Sequence, residues 1–197
     1  MREGSPMASE GPVRLALLPE TARYSLRVRP AERAAASRAF GSDLPVRIGA
    51  RIDADGPTGA RAALCLGPDE WVLHTAAEDA LTLQRAFAAI EAEAPHSLVD
   101  ISDRECAIAL SGDGAADLLA TGCPRDVEAI PVGGGTRTVF DTVPVVLFRD
   151  GETDYRIEVW RSHGPHVWQW LNRANRELGA GASQSNFKHN GITVRLG

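Results

Sequence analysis

The sequence predicts an α+β fold of antiparallel sheets with flanking helices. Strand-like and helix-like segments alternate at short intervals, in the order strands, helix, strands, helix, strands, helix. Many neighbouring strands have the spacing of hairpins, which favours antiparallel sheets over a doubly wound parallel sheet. Because a unit of two strands and one helix recurs, we predict two similar ββα-type halves.

The first half contains a predicted hairpin followed by a helix. Residues 45–48 (Pro-Val-Arg-Ile) alternate in polarity and predict the start of a strand. The apolar runs 63–66 and 71–74 flank a Gly-Pro-Asp-Glu sequence, which predicts a tight turn between two strands. Residues 75–78 match the Thr-x-x-Glu capping box of a helix N-terminus. That helix is predicted to end before Pro95, and its apolar face consists of Leu83, Phe87, Ile90 and Ala94.

The part of the chain after Pro95 contains five predicted strands and two helices. Alternating polarity predicts strands over residues 97–102 and 106–111. A short helix is predicted to begin at residues 111–113 and to stop at Gly122 and Pro124. Three more strands are predicted, over residues 136–140, 143–149 and 155–161. The last predicted helix covers residues 164–178, and its apolar face consists of Val167, Leu171, Ala174 and Leu178.

Both ends of the chain differ in composition from the segment between them. Residues 1–20 are polar and rich in Gly and Pro, which predicts a flexible arm. Residues 180–197 are rich in Gly, Ser and Asn and are predicted to form a tail. The predicted domain therefore covers residues 21–179.

Composition and charge exclude several classes of function. The 197-residue chain is 44% hydrophobic, too apolar for a disordered chain. Its net charge of −5, without a basic cluster, argues against nucleic acid as a partner. The longest apolar run, residues 143–148, is far shorter than the ~18 residues of a membrane span. Because the only apolar run near the N-terminus, residues 15–18, is shorter than the roughly 7 residues of a secretory signal, we expect a cytoplasmic protein.

Three groups of residues could form a cofactor or metal site, and each has a simpler interpretation. Residues 133–135 are all glycine, but no helix is predicted after them, so a loop is favoured over a phosphate cradle. His163 and His166 could share a metal, yet no further ligands are apparent nearby, and Pro165 indicates a helix start. Cys123 follows a helix C-terminus, where the dipole disfavours a thiolate.

The remaining cysteines and carboxylates also favour structural roles. With Cys123, Cys65 and Cys106 make an odd count without Cys-x-x-Cys spacing, which predicts buried, reduced thiols. Paired carboxylates can perform acid–base chemistry, but those of this chain are predicted at strand ends and turns. They are Asp100, Asp103, Glu152, Asp154 and Glu158.

Aromatic residues cluster near the last helix. Trp160, Trp168 and Trp170 lie within eleven residues, shortly after Tyr155. Trp168 and Trp170 lie beside the apolar stripe of the helix, so both indoles cannot easily face one core. Core packing is the simpler interpretation, and an exposed indole at a subunit interface is the alternative, because Trp is enriched in interface anchors.

Six features occur in a characteristic order between residues 45 and 178. They are residues 66–71 (Leu-Gly-Pro-Asp-Glu-Trp), 99–102 (Val-Asp-Ile-Ser), 110–112 (Leu-Ser-Gly), 122–126 (Gly-Cys-Pro-Arg-Asp), 158–162 (Glu-Val-Trp-Arg-Ser), and the helix carrying Trp168 and Trp170. Any one of them is weak, but the ordered set is fairly specific. Together they resemble the gamma subunits of heterotetrameric sarcosine oxidases.

Residues 100–103 (Asp-Ile-Ser-Asp) and 112–115 (Gly-Asp-Gly-Ala) are similar to segments of a second, related family, the folate-binding aminomethyltransferases and their YgfZ-type relatives. Asp103 stands where those transferases have His. Asp141 stands alone before Pro144, where they have paired aspartates. Gly122 and Cys123 match only part of the YgfZ-type Lys-Gly-Cys-Tyr signature. The resemblance therefore implies an aminomethyltransferase folate-binding-domain-like fold whose active site is lost.

The resemblance to sarcosine oxidases implies a function in an assembly. Such enzymes contain alpha, beta, gamma and delta subunits and oxidatively demethylate sarcosine to glycine, with tetrahydrofolate accepting the one-carbon unit. FAD, covalent FMN, NAD and zinc belong to the other subunits. The resemblance thus implies a non-catalytic structural gamma subunit of an oxidoreductase, with no catalytic, cofactor-binding or metal residue of its own.

Two other functions stay open at this point. The chain could be an independent folate-binding protein or one-carbon transferase of the aminomethyltransferase and YgfZ-like type. It could also be an unrelated α+β enzyme that uses Cys123 or the pair His163 and His166.

Overall fold

Ten strands and four helices follow one another over residues 11–188, which the computed structural model describes, with side chains described to residue 180. In chain order they are β1 (Arg14–Leu17), β2 (Ala22–Val28), α1 (Arg33–Phe40), β3 (Arg51–Asp55), β4 (Ala60–Gly67), β5 (Glu70–Thr75), α2 (Ala80–Ala89), β6 (His96–Asp100), β7 (Glu105–Ser111), α3 (Ala115–Ala120), β8 (Gly134–Phe140), β9 (Val143–Arg149), β10 (Asp154–Trp160) and α4 (Gly164–Lys188). No helix among these residues is both long and apolar enough to cross a membrane.

The strands form two five-stranded sheets. Sheet A has the order β1-β7-β10-β9-β8, and sheet B has the order β3-β4-β5-β2-β6. Every ladder is antiparallel. This arrangement confirms the predicted α+β class with antiparallel sheets and flanking helices.

The side chains of a strand alternate between two faces, so each sheet has two faces. Helices cover one face of each sheet. The outer face of sheet B packs against α1 and α2, in a core that includes Tyr24, Leu26, Leu73, Phe40 and Phe87. The outer face of sheet A packs against α3 and α4, in a core that includes Ile108, Leu110, Ile157, Leu119 and Leu171.

The inner faces of the two sheets meet in a seam. Leu64 and Val72 of sheet B are buried there together with Phe148 of sheet A. Gly135 permits this close approach, since a Cβ at this position would lie 2.9 Å from the Leu64 side chain. The layers of the molecule are therefore helices, sheet B, sheet A and helices.

The strand predicted from residues 45–48 is wrong. Strand β3 begins only at Arg51, and the side chains of Val46 and Ile48 are 62% and 60% exposed. Gly49 has a φ of +85°, and the N–H of Ala50 donates to the carbonyl of Arg47 in a turn. The alternating polarity of the residues before Gly49 is typical of a strand, but the turn at Gly49 prevents them from joining the sheet.

The predicted capping box is also wrong. Thr75 ends β5, and a 3₁₀ turn over Ala77–Asp79 precedes α2. The Thr75 hydroxyl donates to Asp79 Oδ2 at 3.1 Å instead of capping a helix. The apolar face of α2 was predicted correctly for Leu83 and Phe87, which are buried.

Both chain ends hold more regular structure than we predicted. Within the arm predicted over residues 1–20, Arg14–Leu17 form β1 along β7. Asn175 of α4 anchors the start of this strand: its Oδ1 accepts from the Val13 N–H at 3.1 Å, and its Nδ2 donates to the Val13 carbonyl at 2.7 Å. Of the predicted tail, residues 180–188 continue α4, whereas residues 1–10 and 189–197 lie outside the described residues.

Candidate functional site

Strand register aligns a row of residues across the inner face of sheet B. Asp53 on β3 lies opposite Ala62 on β4, which lies opposite His74 on β5. His74 in turn lies opposite Arg23 on β2. Since directly paired residues share a face, these four residues all face sheet A.

Glu158 on β10 of sheet A is fully buried and meets three donor groups from this row and its own strand. His74 Nε2 lies 2.9 Å from both carboxylate oxygens. Arg156 donates from Nη1, and Arg23 Nε lies 3.4 Å from Glu158 Oε1. Burial by itself would raise the pKa of Glu158, but His74, Arg156 and Arg23 outweigh it and lower the pKa to about 2. The carboxylate is therefore charged at neutral pH.

The pairing continues from Glu158 toward the edge of sheet B. Arg156 Nε donates to Asp150 Oδ2 at 3.0 Å, and Asp150 also accepts from Arg51. Arg51 donates further to Asp53 Oδ1 at 3.0 and 2.9 Å. Burial opposes ionisation of Asp150, but Arg156 and Arg51 lower the pKa of this carboxyl. We call the six residues the ionic chain: Arg23, Glu158, Arg156, Asp150, Arg51 and Asp53.

A second buried ion pair lies on the outer face of sheet B, on the other side of the sheet from the ionic chain. Arg61 Nε donates to Asp79 Oδ2, and Arg61 Nη1 donates to the Phe40 carbonyl at 2.6 Å. Asp79 also accepts from the Thr58 hydroxyl at 2.8 Å and the Thr75 hydroxyl at 3.1 Å. Burial opposes the charge, but these donors outweigh it and lower the pKa of Asp79.

An open cleft of roughly 600 Å³ lies between the inner face of sheet B, Arg156 of sheet A and the segment over residues 18–21. Its floor includes the small side chains of Ala60 and Ala62, which leave the space above them free. Its walls carry charged and polar side chains: Arg23, Arg51, Arg156, His74, Asp53 and Asp55. Within the described residues, this lining contains no cysteine, serine or lysine. Several guanidinium groups beside an open cleft suit the recognition of a polar group.

We expect acid to destabilise the chain as the pH falls from about 4.5 to about 2. The Glu158 carboxyl has an ordinary pKa of 4.5 and a folded pKa of about 2, so the unfolded chain binds the proton first. The contribution of Glu158 to stability is complete above this window, and ~3 kcal/mol of it is lost by pH 2. Urea denaturation at a series of pH values measures the loss. Glu158→Gln should flatten the curve, and an unchanged slope in that variant would contradict the assignment.

The glycines at 133–135 contribute to the fold in a way the sequence did not reveal. Gly134 and Gly135 begin strand β8, and Gly133 has a φ of +78°. The Gly135 N–H donates to the Gly49 carbonyl at 3.0 Å, and a Cβ on Gly134 would lie 2.9 Å from the same oxygen. The predicted loop therefore ends at Gly133, and the two glycines that follow it let the start of β8 contact the backbone of Gly49.

His163 and His166 contact different partners. The His163 ring stacks on Trp160 with ring centroids 6.3 Å apart. His166 Nε2 lies 3.0 Å from Asp141 Oδ2. The structure therefore does not bring the two histidines together on one ligand.

The three cysteines are free thiols, as predicted, but only two are buried. Cys65 and Cys123 are enclosed, whereas Cys106 is half-buried on β7. Burial raises the pKa of both Cys65 and Cys106. Cys123 Sγ lies 3.9 Å from the Thr138 hydroxyl, just beyond α3.

Four of the five carboxylates lie where the sequence predicted them, at turns and strand ends. Asp100 Oδ1 accepts from the Ser102 N–H at 2.9 Å, which closes the turn after β6. Glu152 and Asp154 belong to the β9–β10 turn, and Asp103 is exposed after β6. Glu158 differs, because both faces of β10 are covered. Its buried position could have been suspected from Arg156, a cation two residues away on the same face of the strand.

The exposed indole belongs to Trp160 and not to the last helix. Trp168 and Trp170 both pack partly buried against the core of sheet A, as the simpler of the two interpretations predicted. Trp170 donates to the Thr121 hydroxyl at 3.3 Å. Trp160 is 49% exposed, and the guanidinium of Arg104 lies 5.3 Å above its ring.

Curated proteins with similar sequences include gamma subunits of sarcosine oxidase. The family model for the sarcosine oxidase, gamma subunit family matches residues 26–177. Sarcosine oxidase subunit gamma of Corynebacterium sp. (strain U-96) is 32% identical over 184 residues, which cover 90% of this chain and 86% of that protein. The same subunit of Corynebacterium sp. (strain P-1) is 33% identical over 147 residues, 74% of this chain and 70% of its own.

Solved structures agree with the sequence comparison. A chain of the heterotetrameric sarcosine oxidase from Corynebacterium sp. U-96, solved in complex with pyrrole 2-carboxylate, superposes with a TM-score of 0.74 at 32% identity. The match covers 87% of this chain and 88% of that chain. The glycine cleavage system aminomethyltransferase T from Bartonella henselae shares the fold, with a TM-score of 0.60 at 17% identity over 83% of this chain and 46% of its own. On these matches, the chain belongs to the sarcosine oxidase, gamma subunit family.

Proposed function

We propose that this chain is the structural gamma subunit of a heterotetrameric sarcosine oxidase and has no active site of its own. Its partners are then the alpha, beta and delta subunits of a cytoplasmic assembly that converts sarcosine to glycine and passes the one-carbon unit to tetrahydrofolate. The supporting observation is 32% identity, over most of both chains, to a chain solved within such a heterotetramer.

The proposal also assigns the cofactors FAD, FMN, NAD and zinc to the other subunits. Two features of the described residues support this division. The glycine run lies at the start of β8, where Gly135 contacts Leu64 and Gly49, and not at a helix N-terminus that could hold a phosphate. The buried carboxylates Glu158 and Asp79 are already held by arginines.

Co-expression with the other subunits tests the proposal. A tagged chain is expected to retain larger subunits, and the eluate should show a flavin absorption band and sarcosine oxidase activity. The chain purified alone is expected to be colourless and inactive. A chain that stays alone when all subunits are present would contradict the proposal, and micromolar binding of tetrahydrofolate by the solitary chain would favour the independent folate-binding alternative.

Trp160 is the side chain we expect to contribute most to this assembly. It is a half-exposed aromatic residue beneath the guanidinium of Arg104, and aromatic residues and arginines dominate binding energy at interfaces. Trp160→Ala is expected to weaken retention of the partner subunits by ~2 kcal/mol, about 30-fold.

The control is Leu81→Ala, since Leu81 is 55% exposed on α2, in the helical layer that packs on sheet B. This variant should leave retention unchanged. The urea midpoint of the free chain should stay constant in both variants. If Trp160→Ala instead destabilises the free chain and leaves retention unchanged, its role is in the fold and the interface assignment fails.

A further inference from the structure

We propose that the cleft between the two sheets binds a carboxylate group through Arg23. The inference concerns this chain by itself and does not rest on the proposed assembly. It follows from the incomplete hydrogen bonding of one buried guanidinium and from the charges around it.

Arg23 is a buried cation with unused donors. Its side chain is 3% exposed, yet its only hydrogen bond among the described residues runs from Nη1 to the Thr21 carbonyl, at 3.4 Å. Its Nε is buried without an acceptor within hydrogen-bonding geometry. A guanidinium has five N–H donors, and buried donors normally have partners. Arg23 also lines the cleft, so an acceptor placed there can reach its guanidinium.

The pairing within the ionic chain explains why Arg23, at one end of it, is the arginine whose hydrogen bonding is incomplete. The three arginines and three carboxylates of the ionic chain balance in charge, but the pairing is uneven. Arg51 and Arg156 each donate hydrogen bonds to two carboxylates, whereas Arg23 has only the 3.4 Å approach to Glu158, which Arg156 and His74 already occupy. The terminal arginine is therefore the one that an additional carboxylate would complete.

The surroundings of Arg23 fit a single negative charge. The Thr21 hydroxyl, also buried without a partner, lies in the same lining and could bind a carboxylate oxygen after a small rotation. Asp53 lies on β3, three strand spacings or about 14 Å across the sheet from Arg23, so it does not repel a group bound at Arg23 strongly. With Glu158 directly behind the guanidinium, a monoanionic carboxylate is favoured over a phosphate dianion.

The carboxylate could belong to a small organic acid in solution or to an Asp or Glu side chain of another chain in an assembly. Both sources present the same chemistry to Arg23. They differ in whether the cleft stays accessible once larger subunits are bound.

Acetate titration of the ¹⁵N-labelled full chain tests the site, with the arginine Nε–Hε resonances as the readout and sodium chloride at equal ionic strength as the control. We expect a saturable shift of the Arg23 resonance, identified by its loss in Arg23→Gln. Thr21→Val keeps the shape of the half-buried side chain and should raise the dissociation constant at least threefold. Arg27→Gln, on the same strand and face but paired with Asp69 and Glu70 near the surface, should leave it unchanged.

Acetate binding that persists when the chain is assembled with its partners supports the site and identifies a free acid as the source of the carboxylate. Acetate binding that disappears on assembly supports the site and identifies a partner's side chain as the source. An Arg23 resonance that does not move, or that moves equally with chloride, overturns the proposal. So does a dissociation constant that is the same in Thr21→Val and Arg27→Gln.

Discussion

Replacing Glu158 by glutamine is expected to lower the free energy of unfolding by about 3–5 kcal/mol at pH 7. The variant keeps the size of the side chain but removes the charge that two buried guanidinium groups share. Arg23 and Arg156 would then lie 3% and 14% exposed without their common counter-ion. Breaking one member of a buried ion pair is costly because the remaining charge cannot recover its hydration.

Urea denaturation of the full chain measures this loss. Glu152→Gln is the matched control, because Glu152 also pairs with an arginine, Arg149, but its side chain is 86% exposed. The control should change stability by less than ~1 kcal/mol, as exposed ion pairs do. If Glu158→Gln lowers the free energy of unfolding no more than Glu152→Gln does, water screens the charges in the seam between the two sheets.

Replacing Asp79 by alanine is expected to cost a similar ~3–5 kcal/mol. The side chain of Asp79 is fully buried and accepts from Arg61, Thr58 and Thr75. Its removal leaves the buried Arg61 with the Phe40 carbonyl as its one remaining partner among the described residues. The cost reflects an unpaired buried charge and not merely the loss of one contact.

The double variant Arg61→Met/Asp79→Leu separates these two causes. Replacing both members of a buried pair with apolar side chains of similar size removes the unpaired charge, so the double variant should be more stable than Asp79→Ala. Asp53→Ala, at a 67% exposed carboxylate paired with Arg51, should lose less than ~1 kcal/mol. If the double variant is the least stable of the three, the buried pair contributes net stability and the expected order is wrong.

Two of the sequence predictions that failed share a physical origin. Residues 45–48 alternate like a strand, but the turn at Gly49 places them outside the sheet. The Thr75 hydroxyl matches a cap, but it serves the buried carboxylate of Asp79 across a 3₁₀ turn. In both cases the surrounding structure requires a hydrogen bond or a backbone angle that is incompatible with the element that the local pattern predicts.

Glu158 shows most clearly what the sequence could not reveal about the site. As a polar residue in an alternating strand it suggests an exposed hairpin position. Its partner His74 is 84 residues earlier in the chain, and only the packing of sheet A on sheet B brings the two together. The exposed indole was expected near an interface, but its identity as Trp160 depends on how far the core covers Trp168 and Trp170.

The sequence by itself determined the α+β class, the hairpins from β4 to β5 and from β8 to β10, the two amphipathic helices and the family. These features depend on turn residues, on alternation and on ordered motifs, all of which act over a few neighbouring positions. Only the tertiary structure decided that β1 joins sheet A, that the two sheets face each other, and that six charged residues line up in the seam between them. Pairing between distant strands depends on the burial and the charge balance of both strands together. A local segment of the sequence holds information about only one of them.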